Sequence, residues 1–212
     1  MTGGTRDQQG PPAPSLTRRT VQLAAGLALF GISMALMIAA GLGASAWDVL
    51  HQGLSRSTGI PLGLVVTGTG VLVLLAWLPL KVRPGIGTVG NILVVGLVAD
   101  RTLALLPAQP DGVAVRTALL LSGIVLNALA TGLYVGAGLG PGPRDGLMTG
   151  LARYRFSLRT VRTGIELTVL LAGWLLGGTV GVGTVLFAVA IGPLTQPALR
   201  LLALAPRTPR TP

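Results

Sequence analysis

The sequence predicts an all-α fold, a polytopic membrane helix bundle of six transmembrane helices built as two inverted three-helix repeats. Three observations predict it. Half of the 212 residues are hydrophobic and 10% are charged, against roughly 25% charged in soluble domains. Six apolar runs follow one another along the chain, and a bilayer-spanning helix needs ~20 such residues. Finally, one polar, glycine-punctuated stretch occurs twice. Gly41-Leu42-Gly43 leads through Asp48, Leu50, Gly53 and Leu54 to Arg56, and 97 positions on Gly138-Leu139-Gly140 leads through Asp145, Leu147, Gly150 and Leu151 to Arg153.

Residues 1–19 read as a disordered cytoplasmic tail, because the polar, Gly- and Pro-rich stretch Met1 to Ser15 has little apolar surface to bury. The first repeat, residues 20–106, opens with an uncharged run from Thr20 to Trp47, of which Val21 to Ala40 is long enough to span. Arg18-Arg19 before it and Ala44-Ser45-Ala46 after it together resemble a twin-arginine signal peptide with its cleavage site. Two facts argue against cleavage: the apolar core exceeds the ~7 to 15 residues of a signal h-region, and the cleavage site falls inside the duplicated element. Ser57 to Leu80 is the second span, closed by Lys81, Arg83 and Pro84, and Gly87 to Leu106 is the third.

Residues 107–112, with Pro107, Pro110, Asp111 and Gly112, form a linker. The second repeat, residues 113–204, holds spans at Thr117 to Ala137, Leu158 to Leu176 and Val182 to Leu204, before a second cytoplasmic tail over 205–212. Its middle span is the least apolar, carrying Arg159, Arg162 and Glu166. Leu167 to Leu199 contains no charge, and Gly177-Gly178 with Gly181 divides it into two helices.

The repeat extends beyond the polar stretch. Gly26 matches Gly123 and Trp77 matches Trp174 at the same offset; after one deletion Gly85, Gly87, Thr88, Val89 and Gly96 match Gly181, Gly183, Thr184, Val185 and Gly192 at 96. Three spans per half is an odd number, so the second half enters the membrane in the opposite sense. Placing both termini in the cytoplasm puts 13 of the 16 basic residues inside and leaves Arg56, Arg101 and Arg116 outside, the bias that positive-inside topology demands.

Composition also excludes whole classes of function. Without cysteine and with His51 as the one histidine, there is no thiolate chemistry and no metal site; no cofactor is expected. The net charge of +10 flanks apolar spans instead of forming a basic face with stacking aromatics, so no nucleic-acid partner is expected. Gly85-Ile86-Gly87-Thr88-Val89-Gly90 spells G-x-G-x-x-G, but a dinucleotide site needs a strand before it and a βαβ unit around it. Here the glycines read as hairpins or hinges, with Thr88 and Thr184 capping the helices that follow. No nucleophile, base and orienting group stand at a recognisable spacing, so no enzyme is expected.

The polar elements allow two readings. Trp47, Leu50 and Leu54 mark one face of a short helix, with Ser45 at its N-cap and Asp48 at N3. Gly142 and Pro143 set Asp145 at N3 of the second copy, where a carboxylate suits the positive helix end. Trp47 then serves as an interfacial anchor. In the rival reading the elements re-enter the membrane, with Gly41, Gly43, Gly138, Gly140, Gly85, Gly87, Gly181 and Gly183 as helix breaks. Asp48 and Asp145 then approach across a pseudo-two-fold axis and favour a cation, a proton or an amine-bearing solute. Glu166 joins them as an intramembrane acid, or is neutralised by Arg162 one turn before it. Asn127 could bond across helices. Gly173-x-x-x-Gly177 and Gly136-x-x-x-Gly140 are packing faces.

The run Gly43-Ala44-Ser45-Ala46-Trp47-Asp48-Val49-Leu50-His51-Gln52-Gly53-Leu54, followed by Arg83-Pro84-Gly85-Ile86-Gly87-Thr88, resembles the bacterial YczE/YitT-type integral membrane proteins over about residues 20–204. The second copy departs from this pattern at Arg144, where the first has Trp47. The resemblance implies a small multi-span protein of the bacterial inner membrane and carries over no substrate or catalytic residue. The expected function is a small-solute transporter or permease, with the lipid bilayer and an unknown small solute as partners. The alternative is a non-transporting accessory protein that docks a partner on the cytoplasmic basic stretch Arg144 to Arg162. Association with further copies of the chain stays open.

Overall fold

A computed structural model describes residues 14–107, 110–154 and 157–204. Among these residues it holds eight helices and no strand: α1 (Leu16–Ala40), α2 (Ala46–Thr58), α3 (Leu62–Leu80), α4 (Ile86–Leu105), α5 (Val113–Gly136), α6 (Pro143–Ala152), α7 (Leu158–Leu175) and α8 (Val182–Leu202). Five of them, α1, α3, α4, α5 and α8, are long and apolar enough to cross a membrane. The expected middle span of the second half, α7, has the length but carries Arg159, Arg162 and Glu166.

Most helix ends follow from local chemistry. Ser15 accepts the Arg18 N–H and starts α1 at Leu16, so the first turn takes in Leu16, Arg18 and Arg19, which hydropathy alone assigns to the tail. Residues 1–13 of that tail, and residues 205–212, lie outside the described residues. Gly41 and Gly138 stop the helices before them in the left-handed region, at φ 62° and 64°, where a Cβ would be strained. Thr88 and Thr184 cap from the third helical position, their hydroxyls accepting the Gly85 and Gly181 N–H groups. They do not occupy the N-cap itself.

The long helices α1 and α5 form the central pair. Gly26 of α1 leaves room for the Tyr134 backbone of α5, and its repeat counterpart Gly123 leaves room for Ser33 and Met37 of α1. Asn127 of α5 donates to the Ser33 hydroxyl of α1 at 3.0 Å, pairing two buried polar groups across this joint. Leu23, Leu27 and Met34 pack with Leu62 and Val66 of α3 and Val95 of α4, while Met37 and Ala40 pack with Leu120 and Ile124. On the outside, Leu72, Leu75, Leu93, Leu97, Leu171 and Val189 lie exposed. In water such a surface would be a large apolar patch; lipid is the solvent it suits.

Two arginines tie the halves together. Arg19, at the start of α1, donates to the Ala137 and Gly138 carbonyls at the end of α5, at 2.7 and 2.5 Å. Arg116, at the start of α5, donates to the Ala40 and Gly41 carbonyls at the end of α1, at 2.7 and 2.8 Å. All six residues correspond at the repeat offset of 97. Each guanidinium satisfies carbonyls that a helix C-terminus leaves without a partner.

Candidate functional site

The arginine clamps fix where the two polar elements begin. Residues 137–138 lie at the Arg19 end of α1 and residues 40–41 at its other end, about 30 Å away at 1.5 Å per residue. Six residues after Gly41 stands Trp47, and six after Gly138 stands Arg144. These two side chains touch: the Arg144 guanidinium lies 5.1 Å from the centre of the Trp47 ring. Segments entering from opposite ends of α1 therefore run inward and meet.

Both elements then turn back. The end of α2 bonds to the loop before α8, with Arg56 donating to the Gly177 carbonyl at 2.7 Å and Gln52 accepting the Thr179 N–H at 2.6 Å. That loop leads to Gly183, whose N–H donates to Leu42 beside the point where the element entered. In the second half Gly150 of α6 packs on Leu80 and Val82, just before Gly85 and Gly87, whose backbones abut Leu139 and Gly140. The Thr88 hydroxyl donates to the Pro141 carbonyl at 2.7 Å. A Cβ on Gly85 would fall 2.5 Å from the Leu139 oxygen, so these hairpin glycines serve close approach.

Around the meeting point lies a cavity of about 660 Å³ that receives side chains from all eight helices. Phe30, Val66, Val95 and Phe187 give it apolar wall, and Asn91, Asn127, Thr131, Tyr134 and Gln196 give it polar groups. Its charges are Arg144 and Asp145 of α6 and Arg162 and Glu166 of α7. Arg162 and Glu166 form an ion pair at 2.9 Å. Of the basic stretch from Arg144 to Arg162, both ends thus face the cavity; Arg155 lies outside the described residues.

The two repeat-related aspartates occupy different surroundings. Asp145 is exposed and accepts the Tyr134 hydroxyl at 2.6 Å. Asp48 is 1% exposed. Its Oδ1 lies 3.6 Å from Arg144 Nη2 and 3.9 Å from His51 Nδ1, and among the described residues that oxygen has no hydrogen-bond donor. Arg144, rather than the other aspartate, is the charged neighbour of Asp48.

Trp47 is enclosed by protein. At 7% exposure it packs with Val73 and Trp77 under Arg144. It also forms part of the wall of a second, apolar groove of about 560 Å³ between α6 and α7, so its ring partitions groove from cavity. Sequence reasoning singled out Trp47 and Asp48, gave Arg144 to a basic docking stretch, and missed Tyr134 and the clamping role of Arg19 and Arg116. For Arg144 a signal was present: it is the position where the second polar element departs most sharply in chemistry from the first. Among the described residues no cluster of His, Asp and Glu side chains could hold a metal ion.

Two known proteins are similar to the chain over most of its length. The chain is 42% identical over 184 residues to an "Uncharacterized protein" of Haemophilus influenzae, covering 86% of this chain and 84% of the relative. It is 35% identical over 171 residues to the "Uncharacterized membrane protein YczE" of Bacillus subtilis, covering 77% and 76%. No solved structure matches it. Residues 17–198 match the family of unknown function DUF6198, and the chain belongs to that family.

Proposed function

We propose that the protein is a small-solute transporter of the bacterial inner membrane, with both termini in the cytoplasm and its solute held in the cavity where α2 and α6 meet. In this reading α7 is the sixth crossing, its charged face turned to the cavity, and the two halves are inverted three-helix repeats. The short helices α2 and α6 are re-entrant: each dips to mid-depth and returns to the face it came from. Carriers with inverted repeats place solutes at the repeat interface near the midplane, in sites made by interrupted helices. The observation that supports this reading above all is the contact of Trp47 with Arg144, reached from opposite ends of α1. The reading assigns the protein no catalysis.

The chain has no cysteine, which gives a clean background for accessibility. Thr131→Cys and Ala188→Cys each place a thiol on the cavity wall. A membrane-impermeant maleimide is expected to reach both from either face of the membrane, at rates that differ between faces. Labelling from one face alone would make the cavity a dead-end pocket and end the transport reading. Reporter tags after Arg56 and after Arg153 are expected on opposite sides.

A further inference from the structure

We infer that the cavity binds a small organic anion with an apolar body on Arg144, and that Asp48 takes up one proton as the anion binds. The inference rests on the transport reading for its purpose, making the solute a proton-coupled organic anion. What is bound rests on the geometry alone.

Arg144 stands between two claims on its charge. Its side chain is 25% exposed, toward the cavity, and behind it lies the buried Asp48 carboxylate. A guanidinium carries five N–H donors, yet among the described residues its hydrogen-bonding contact is Nη2 to His51 Nδ1, at a long 3.5 Å. The other cation on the cavity wall, Arg162, is already paired with Glu166. Among the described residues Arg144 is therefore the cavity cation with no carboxylate within hydrogen-bond distance, and a planar fork of this kind matches a carboxylate in two hydrogen bonds. The apolar walls suit the remainder of such a ligand.

The proton follows from the same arrangement. Asp48 is buried with one oxygen lacking any donor, and Arg144 is what offsets the penalty of keeping it charged. A ligand anion that shares or draws away the guanidinium removes that offset, and a buried carboxylate without a counter-charge takes a proton. The other groups around Asp48 do not replace Arg144. His51, on its own helix, is 3.9 Å away, beyond hydrogen-bond reach. From α7 come Arg162 and Glu166, which neutralise each other, and from α6 comes Asp145, an acid. The helix α3 has no ionisable side chain, and the arginines of α1 sit in its first turn, at the end away from α2. Anion and proton then bind as a pair, each raising the affinity for the other.

The test uses the full chain in phosphatidylcholine nanodiscs with 3-phenylpropionate as the probe, and 3-phenylpropanol and 3-phenylpropylamine as the neutral and cationic controls. Titration calorimetry in buffers of different ionisation enthalpy reads the proton uptake. The acid is expected to bind with close to one proton taken up, its apparent Kd rising about tenfold per pH unit, and neither control to match it. Asp48→Asn is expected to keep anion binding and lose both the proton and the pH dependence. Arg144→Gln is expected to lose binding; because it strands a buried acid, Asp48→Asn with Arg144→Gln serves as the folded version of the same test. Preference for the amine, binding without a proton, no binding of the acid, or binding that survives the double variant would each overturn the inference. Competition by added phosphatidylglycerol would transfer the site to a lipid headgroup and overturn the soluble ligand. None of these results depends on the maleimide accessibility of Thr131→Cys, so a binding site that does not transport is distinguishable from a carrier of something else.

Discussion

The joint of α2 with α7 and the joint of α6 with α3 are one design used twice, and the two copies close by different means. On the α3 side Trp77 is 1% exposed and lies over Gly146, its indole N–H donating to the Pro143 carbonyl at 3.0 Å. On the α7 side the equivalent Trp174 is 59% exposed, and at the repeat position of Gly146 stands the buried Val49, whose side chain lies against Gly178. There Gly173 and Gly178 bring the α7 end directly against the Val49 and Leu50 backbone, with Gly53 facing Gly173. One joint is a side-chain plug in a glycine seat; the other is backbone against backbone. A plug can leave by rotating about its side-chain bonds, whereas a backbone contact yields only if a helix moves.

The largest effect that tests this contrast is Trp77→Ala, which should cost about 3 to 5 kcal/mol. Trp174→Ala should stay within about 0.5 kcal/mol. Thermal melts in detergent measure both, and equal effects would abolish the distinction. Next come the seats themselves. Gly146→Val and Gly173→Ala should each cost about 1 to 3 kcal/mol through overpacking, but they should differ in rescue. Trp77→Ala should absorb part of the Gly146→Val loss in a double-mutant cycle. Leu50→Ala should do nothing for Gly173→Ala, whose new Cβ meets the Leu50 main chain. A milder loss concerns the feature that the halves share: Arg19→Met and Arg116→Met should each cost about 1 kcal/mol and match one another closely, since both clamps make the same bonds.

Much of this fold is legible in the sequence because lipid imposes simple demands on it. Long apolar runs have little alternative to being helices, and Gly41, Gly138 and Gly177 end them by left-handed geometry that few other residues adopt. The caps Ser45 and Gly142 placed α2 and α6 to within a residue. The site is less legible, because its meaning lies in what meets across the molecule. Arg19 and Arg116 count equally well as topological charges, and only the fold reveals the carbonyls they hold. Trp47 carries the composition of an interfacial anchor and acquires a buried role only when Arg144 arrives from the other half. Asn127 announces that it needs a partner but not that the partner is Ser33.

The reciprocal grip of Arg19 and Arg116 bears on how such a chain is made. As the ribosome releases the first three long helices, the carbonyls at the end of α1 still await an arginine that has not been translated, and Arg19 has nothing yet to hold. The early half is thus left incomplete in the membrane until α5 follows it, and biogenesis finishes in one late step in which both grips close.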